Sequence, residues 1–339
     1  MQKIRSYLKN NYIFRKIEST SFYHRYAFIR WKWNLQKKYY NKTSCRISNH
    51  PNKTIVTMID GKIRHGGLAD RLRNVIGVYY HCLQYGYNYK IYWKYPFKLT
   101  NYLIPNEVNW EIQENEISYN IKDAIPQVYY AYWIDKTFGT KSEKDTKKIL
   151  NANYKQIHFY GYLHTPTQLY GTLFNKLFKI SPRLQSEIEL YTKPLGHEYI
   201  SITFRFQNLL GDFKEADYPT LDESSQQELI NKCKQKLSEI VIDKTQKVLV
   251  TSDSIKFLSE VSSFPFVYIV SGELTHMDYF SAQSKTKDEY EIHKKAFIDF
   301  FMISNAKKIY LLQTGSMFHS LFPYTAALIG NKEYQEITF

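Results

Sequence analysis

From residue 199 onward the chain alternates short β-branched apolar runs with amphipathic stretches, and this alternation constrains the fold more than any other feature. The runs fall at 199–204, 247–251, 266–270 and 308–312. Apolar residues recur at helical spacing between them, which predicts helices over 222 to about 242, 254–261, 288–304 and 317–329. Strands separated by helices imply a parallel sheet covered on both faces. Such sheets bind ligands at the C-terminal ends of their strands. The polar residues just after each run are therefore the candidate site residues.

Those residues are Arg205 with Gln207 and Asn208; Ser252 and Asp253; Ser271, Glu273 and His276; and Thr314, Gly315, Ser316 and Met317. An arginine directly after a buried strand has a planar fork suited to phosphate. Thr-Gly-Ser at a strand-to-helix turn offers N–H and hydroxyl donors at a helix start. When ionised, Asp253 only accepts hydrogen bonds, which matches a ribose or guanine donor. Ser252, Asp253 and Ser316 are also good helix caps by residue type, so each has a purely structural alternative.

The first half carries one similar junction. A β-branched run at 54–59 leads into Gly-Lys-Ile-Arg-His-Gly-Gly-Leu-Ala-Asp-Arg-Leu-Arg at 61–73. Leu68, Leu72, Val75, Ile76 and Leu83 then share one helical stripe. At a glycine-containing loop before a helix, unpaired N–H groups and the positive end of the helix dipole favour an anion. His65, Gly66, Gly67, Asp70 and Arg71 are the candidates there. Short strands are predicted at 90–93 and 156–160, with a loop-and-helix insertion over 94–150, where Pro96, Pro105 and Pro126 interrupt any pattern. Helices follow around 169–178 and from Ser181-Pro182 to about Tyr191. The Lys193-Pro-Leu-Gly196 break marks the expected domain boundary. The expected organisation is an arm at 1–53, an N-terminal domain at 54–194 and a C-terminal domain at 195–339.

The charge of the chain belongs to the arm. Residues 1–55 hold thirteen Lys and Arg against Glu18 alone, so they carry +12 of a net charge of +14 over 339 residues. Trp31, Trp33 and several tyrosines interleave with these cations, a mixture that suits an anionic membrane surface contacted through residues 1–42. A basic helix packed on the body is the structural alternative. No nucleic-acid motif accompanies the charge. No apolar run reaches the 18 residues of a membrane span, and the N-terminus lacks a secretory pattern. Cys45, Cys82 and Cys233 form no zinc or disulfide pattern, which fits a reducing cytoplasm.

Four of these stretches, in order, resemble the marks of the GDP-fucose-dependent fucosyltransferases of the nodulation, α-1,6 and peptide-O-fucosyl type. The stretch from His65 to Leu72 resembles their glycine-rich first loop, and Ser201-Ile-Thr-Phe-Arg205 the strand that ends in arginine. Thr251-Ser-Asp253 resembles the acidic turn, and Thr314-Gly-Ser316 the C-terminal turn. Thr203 stands where family members have histidine, Phe206 follows the arginine, and Asp212 lies seven positions beyond it. The resemblance implies a GT-B-like pair of Rossmann domains around a cleft, 54–194 on the acceptor side and 195–339 for the nucleotide sugar, with inverting transfer and no required metal or other cofactor beyond GDP-fucose as donor. It places Arg205 on the diphosphate, Asp253 on the nucleoside, the turn at 314–317 on the phosphates, and Arg71 near them. Asp212 is the favoured base, with Glu215, Asp70, His65 and His276 as rivals. The acceptor expected is a polysaccharide or lipid-linked glycan. A non-catalytic glycan- or nucleotide-binding protein on the same scaffold, or a transferase of another sugar nucleotide, remains the alternative. A dinucleotide enzyme is disfavoured, because no G-x-G-x-x-G is present.

Overall fold

The structure, a computed structural model, describes residues 21–40, 53–130, 146–196, 198–213, 219–275, 277 and 288–339. The chain divides into two compact units, residues 1–65, 74–93 and 110–164 in the first, and 66–73, 94–109 and 165–339 in the second. The Lys193–Gly196 break falls within the range of the second unit.

Helix α1 (Ser21–Tyr39) precedes strand β1 (Thr54–Ile59), whose six residues are all buried. Helix α2 (Leu68–Tyr85) buries Leu68, Leu72, Val75, Ile76, Tyr79 and Cys82. Leu83, expected on this stripe, is 49% exposed, because a fifteen-residue offset rotates it to the stripe's margin. Gly77 allows close packing here: a Cβ would stand 2.2 Å from the Leu163 carbonyl oxygen. Strand β2 (Asn88–Trp93) follows, then the short β3 (Leu103–Pro105) of the second unit.

Strands β4 (Ala124–Tyr130) and β5 (Gln156–Tyr162) complete a parallel sheet in the order β2-β1-β5-β4. Strand β4 lies inside the stretch expected to be an insertion. Pro126 hides it in the sequence, yet β4 is an edge strand, where a residue without an N–H is tolerated. Helix α1 packs on this sheet: Leu35 joins Val56, Met58, Tyr92, Val128 and Tyr160 in the core, and Lys32 Nζ donates to Gln127 Oε1 at 2.9 Å. Within the arm, residues 21–39 are thus a helix packed on the body; residues 1–20 and 41–52, Cys45 among them, lie outside the described residues.

In the second unit, α3 (Tyr170–Leu177) leads into β6 (Phe178–Ile180), which pairs antiparallel with β3. Helix α4 (Pro182–Thr192) starts as its sequence requires, with Pro182 in the first turn and Ser181 Oγ accepting from the Leu184 amide. Then come β7 (Ile200–Phe204), α5 (Glu223–Ile240), β8 (Val248–Ser252), α6 (Ile255–Val261) and the two-residue β9 (Val267–Tyr268). Helix α7 (Glu289–Asn305), β10 (Lys308–Gln313), α8 (Phe322–Gly330) and β11 (Glu333–Thr338) close the chain. Asp222, Ser254 and Asp288 cap α5, α6 and α7 with their side chains.

All five long-range strands are parallel, in the order β11-β10-β7-β8-β9. The chain starts at β7, winds outward through β8 and β9, then returns to β10 and β11 on the other side. The order reverses between β7 and β10, and a crevice forms at the carboxyl ends of strands at such a switch point. Helices α5 and α6 seal one face with Ile230, Cys233, Leu237 and Phe257 against Ile202, Phe204 and Val250. Tyr102 ties residues 94–109 into this unit, stacking on Phe297 of α7 at 4.0 Å and donating to the Tyr290 carbonyl at 2.8 Å.

Helix α8 begins at Phe322, five residues later than expected. Pro323 sits in its first turn; a helix begun at Met317 would place that ring in its interior, where it clashes with the preceding turn. Among the described residues no helix is long and apolar enough to cross a membrane.

Candidate functional site

Three of the strand-end loops of the second unit meet at the β7–β10 switch point. Arg205 follows β7, and its Nη1 lies 3.2 Å from Asp253 Oδ2, at the end of β8. The guanidinium also sits 5.0 Å from the centre of the Phe213 ring. Phe318, in the loop after β10, donates its amide to the Arg205 carbonyl at 3.1 Å. The arginine is thus fixed at both ends, with its backbone tied to one neighbouring loop and its side chain to the other.

Asp253 is almost fully engaged. Its Oδ1 accepts from the Phe206 amide at 2.8 Å and its Oδ2 from the Gln207 amide at 2.7 Å, besides Arg205. Burial pushes its carboxyl above the usual range, while Arg205 and the two amides favour the charged form. These amide bonds hold Gln207 at φ +53°, a left-handed conformation that a glutamine rarely adopts. Gln207 is buried, and its Nε2 has no hydrogen-bond partner among the described residues. Strain and an unsatisfied donor together mark the turn after β7 as a site feature. No residue type in the sequence signals it, since glutamine carries no preference for such a turn.

The remaining expected residues take more structural parts. Ser252 Oγ accepts from the Ser254 amide at 3.1 Å. Asp212 Oδ2 accepts from Ser254 Oγ at 2.8 Å and the Lys256 amide at 2.7 Å, so this exposed carboxylate caps α6. Thr314 donates its hydroxyl to the Phe339 carbonyl and accepts from Lys232 Nζ at 2.8 Å. Gly315 adopts φ +57°, Ser316 is exposed, and Met317 is buried with its sulfur 3.8 Å from Cys233 Sγ. Because α8 starts at Phe322, this turn is not the start of a helix as expected. Lys232 was not apparent from the sequence, because it lies on α5, eighty-two residues from its partner. Ser271 bonds Tyr191 at 3.0 Å, whereas Glu215 and His276 lie outside the described residues.

The glycine loop is divided between the units, with His65 in the first and Gly66–Arg73 in the second. His65 is buried, stacks on Tyr160 and accepts from the Gly61 amide at 3.0 Å. Gly66 has φ +77°, and a Cβ there would stand 2.6 Å from Asp70 Oδ2. Asp70 reaches back to the Gly67 amide at 3.3 Å, the return half of a capping box. Arg71 is completely buried; its Nε donates to the Gly66 carbonyl at 2.9 Å and its Nη1 to the Tyr95 carbonyl. The loop is therefore self-supporting, and Arg71 acts there as its internal fastener. Among the described residues no group of three His, Cys, Asp or Glu side chains is placed to hold a metal ion.

A doubly wound parallel sheet in one unit and a second parallel α/β sheet in the other define a class: the α/β fold shared by fucosyltransferases solved with GDP. Two proteins give the likeness in particular. NodZ α-1,6-fucosyltransferase from Bradyrhizobium, co-crystallised with GDP, matches with a TM-score of 0.53 at 15% identity, over 83% of this chain and 93% of that one. A variant of Arabidopsis thaliana FUT1 in complex with GDP matches with a TM-score of 0.53 at 13% identity, over 90% of this chain and 73% of that one. The likeness is one of fold. No protein-family model and no curated protein matches the sequence.

Proposed function

We propose that this protein is an inverting glycosyltransferase that moves fucose from GDP-fucose to a glycan, polysaccharide or lipid-linked. The observation that carries the reading is the Arg205–Asp253 junction at the switch point of a fold that NodZ and FUT1 adopt in their structures with GDP. In this reading the Arg205 guanidinium neutralises charge that develops on the departing diphosphate, without calling on a metal ion. Asp253 keeps that guanidinium aimed and shapes the turn at Gln207. The turn at 314–317 lines the same crevice and takes part in holding the nucleotide. Asp212 accepts the proton of the acceptor hydroxyl, its carboxylate steadied by the start of α6. The second unit binds the donor and the first serves the acceptor. Exposed Ile29, Trp31 and Trp33 beside Arg30, Lys37 and Lys38 on α1 suit contact with an anionic membrane surface. A thermal-shift series with GDP, UDP, dTDP and CMP sugars tests the donor class. GDP-fucose and GDP are expected to raise the melting temperature; stabilisation by another nucleotide alone would overturn the assignment.

A further inference from the structure

The loop after β1 lies at the carboxyl end of a central strand in the first unit's sheet. It is also beside the point where that sheet's order reverses between β1 and β5. Helix α1 runs past this loop without closing on it and leaves a cavity of about 700 Å³. The helix lines the cavity with Trp31, Asn34, Lys37 and Lys38, and the loop with Lys62 and Arg64. Trp31, Asn34 and Lys38 share one helical stripe with Leu35, which is anchored in the core. A helix that only packs would carry apolar side chains on both flanks of that leucine. Here an indole, an amide and an ammonium group occupy them.

Two of the cations, Lys62 and Lys38, are held against one ring. Lys62 Nζ lies 2.5 Å from Asp60 Oδ2, 2.6 Å from the Tyr119 hydroxyl and 4.4 Å from the centre of the Tyr119 ring. The ring of Tyr39 has the ammonium groups of both Lys62 and Lys38 near it, at 5.2 Å and 5.1 Å. Among the described lining residues there are four cations and no carboxylate; Asp60, buried behind Lys62, offsets one. Like charges gathered around an open cavity repel one another, and an anion placed among them relieves that repulsion. Lysine point charges with an arginine fork suit phosphate oxygens. The exposed indole of Trp31 offers a flat apolar face, and Asn34 both donates and accepts hydrogen bonds, the pair of features a sugar ring uses. The volume falls within the range of small-ligand sites.

We propose that this cavity binds a phosphorylated saccharide, with its phosphate among Lys37, Lys38, Lys62 and Arg64 and its ring against Trp31. The site belongs to the first unit alone and stands independently of the GDP-fucose reading. Calorimetric titration of the full chain with glucose 1-phosphate tests it, with methyl glucoside as the neutral control. Glucose 1-phosphate is expected to bind and methyl glucoside to give no heat. Lys38→Glu combined with Arg64→Glu is expected to weaken binding at least tenfold, and the milder Lys38→Gln with Arg64→Gln to weaken it less. Trp31→Ala is expected to weaken glucose 1-phosphate more than inorganic phosphate. Absence of binding, or equal binding by the charge-reversed variant, overturns the proposal. So does binding lost in Arg205→Ala but kept in the charge-reversed variant, which assigns the heat to the other unit. Vesicles of phosphatidylcholine with and without phosphatidylglycerol identify the source of the phosphate. Competition between the anionic vesicles and glucose 1-phosphate supports a lipid-borne ligand in this cavity, whereas vesicle binding with no response to glucose 1-phosphate overturns the site in favour of a membrane surface.

Discussion

Gly66 combines two constraints that act on one atom. Its φ of +77° is costly for any residue with a Cβ, and that Cβ would meet the Asp70 carboxylate at 2.6 Å. Gly66→Ala is therefore expected to destabilise the protein by about 1–3 kcal/mol, read as a lower urea midpoint. Two buried histidines make stability depend on pH. His158 has Nε2 against Gln156 Oε1 at 3.0 Å, and the Gln156 amide nitrogen donates to the Glu116 carbonyl. Nε2 therefore carries the proton and Nδ1 accepts from the Tyr40 hydroxyl at 2.7 Å. Burial, with Lys62 nearby, pushes its pKa down to about 3; burial, with Arg71, pushes His293 down to about 4. The unfolded chain takes up protons near the ordinary value of 6.5, while the folded chain does not. The stability these neutral rings contribute is thus complete above pH 6.5 and is lost as pH falls toward 4. Each ring is expected to add about 1.4 kcal/mol per pH unit to the slope in that window. Urea midpoints from pH 7 to 4.5 check this, and His158→Asn should flatten the curve by one proton's worth.

At the level of elements, chemistry and capping compete for the same residues. Asp212 was legible as a carboxylate close behind a strand end; its bond to the start of α6 was not, since Ser254 and Lys256 lie more than forty residues away. Asp212→Asn retains an oxygen for both donors, so its urea midpoint should stay within about 1 kcal/mol of the parent. If Asp212 is the base, the same variant loses GDP release with acceptor present; unchanged turnover would reduce it to a cap. The sheet of the second unit was readable because Ile202, Phe204, Leu249 and Leu311 sit in buried, β-branched or aliphatic runs. Strand β11 was not, because Glu333, Gln335 and Glu336 face solvent on an exposed edge and only the pairing with β10 makes the strand. Strand β4 and the late start of α8 both turn on proline, once tolerated at an edge and once confined to a first turn.

For the molecule as a whole, the order of strands decides where the chemistry can sit, and that order is invisible in a single run of residues. The alternation after residue 199 placed Arg205, Asp253 and Thr314 after strands. It could not say that β7 and β10 would be neighbours, or that Asp253 would spend its oxygens on the turn after β7. Nor did it show Thr314 tied to Lys232 and the Phe339 carbonyl. What the fold adds is a ranking of candidates, with Arg205 first, because its side chain joins the end of β7 to that of β8 and its carbonyl is bonded to the loop after β10 across the switch point. The most direct measurement is the rate of GDP release from GDP-fucose by the full chain, compared with Arg205→Lys. The lysine keeps the charge and loses the fork. The parent is expected to turn over, and the variant to fall on the order of a hundredfold or more while its urea midpoint stays near the parent's. No release by the parent, or release by Arg205→Lys at the parent's rate, would contradict the account.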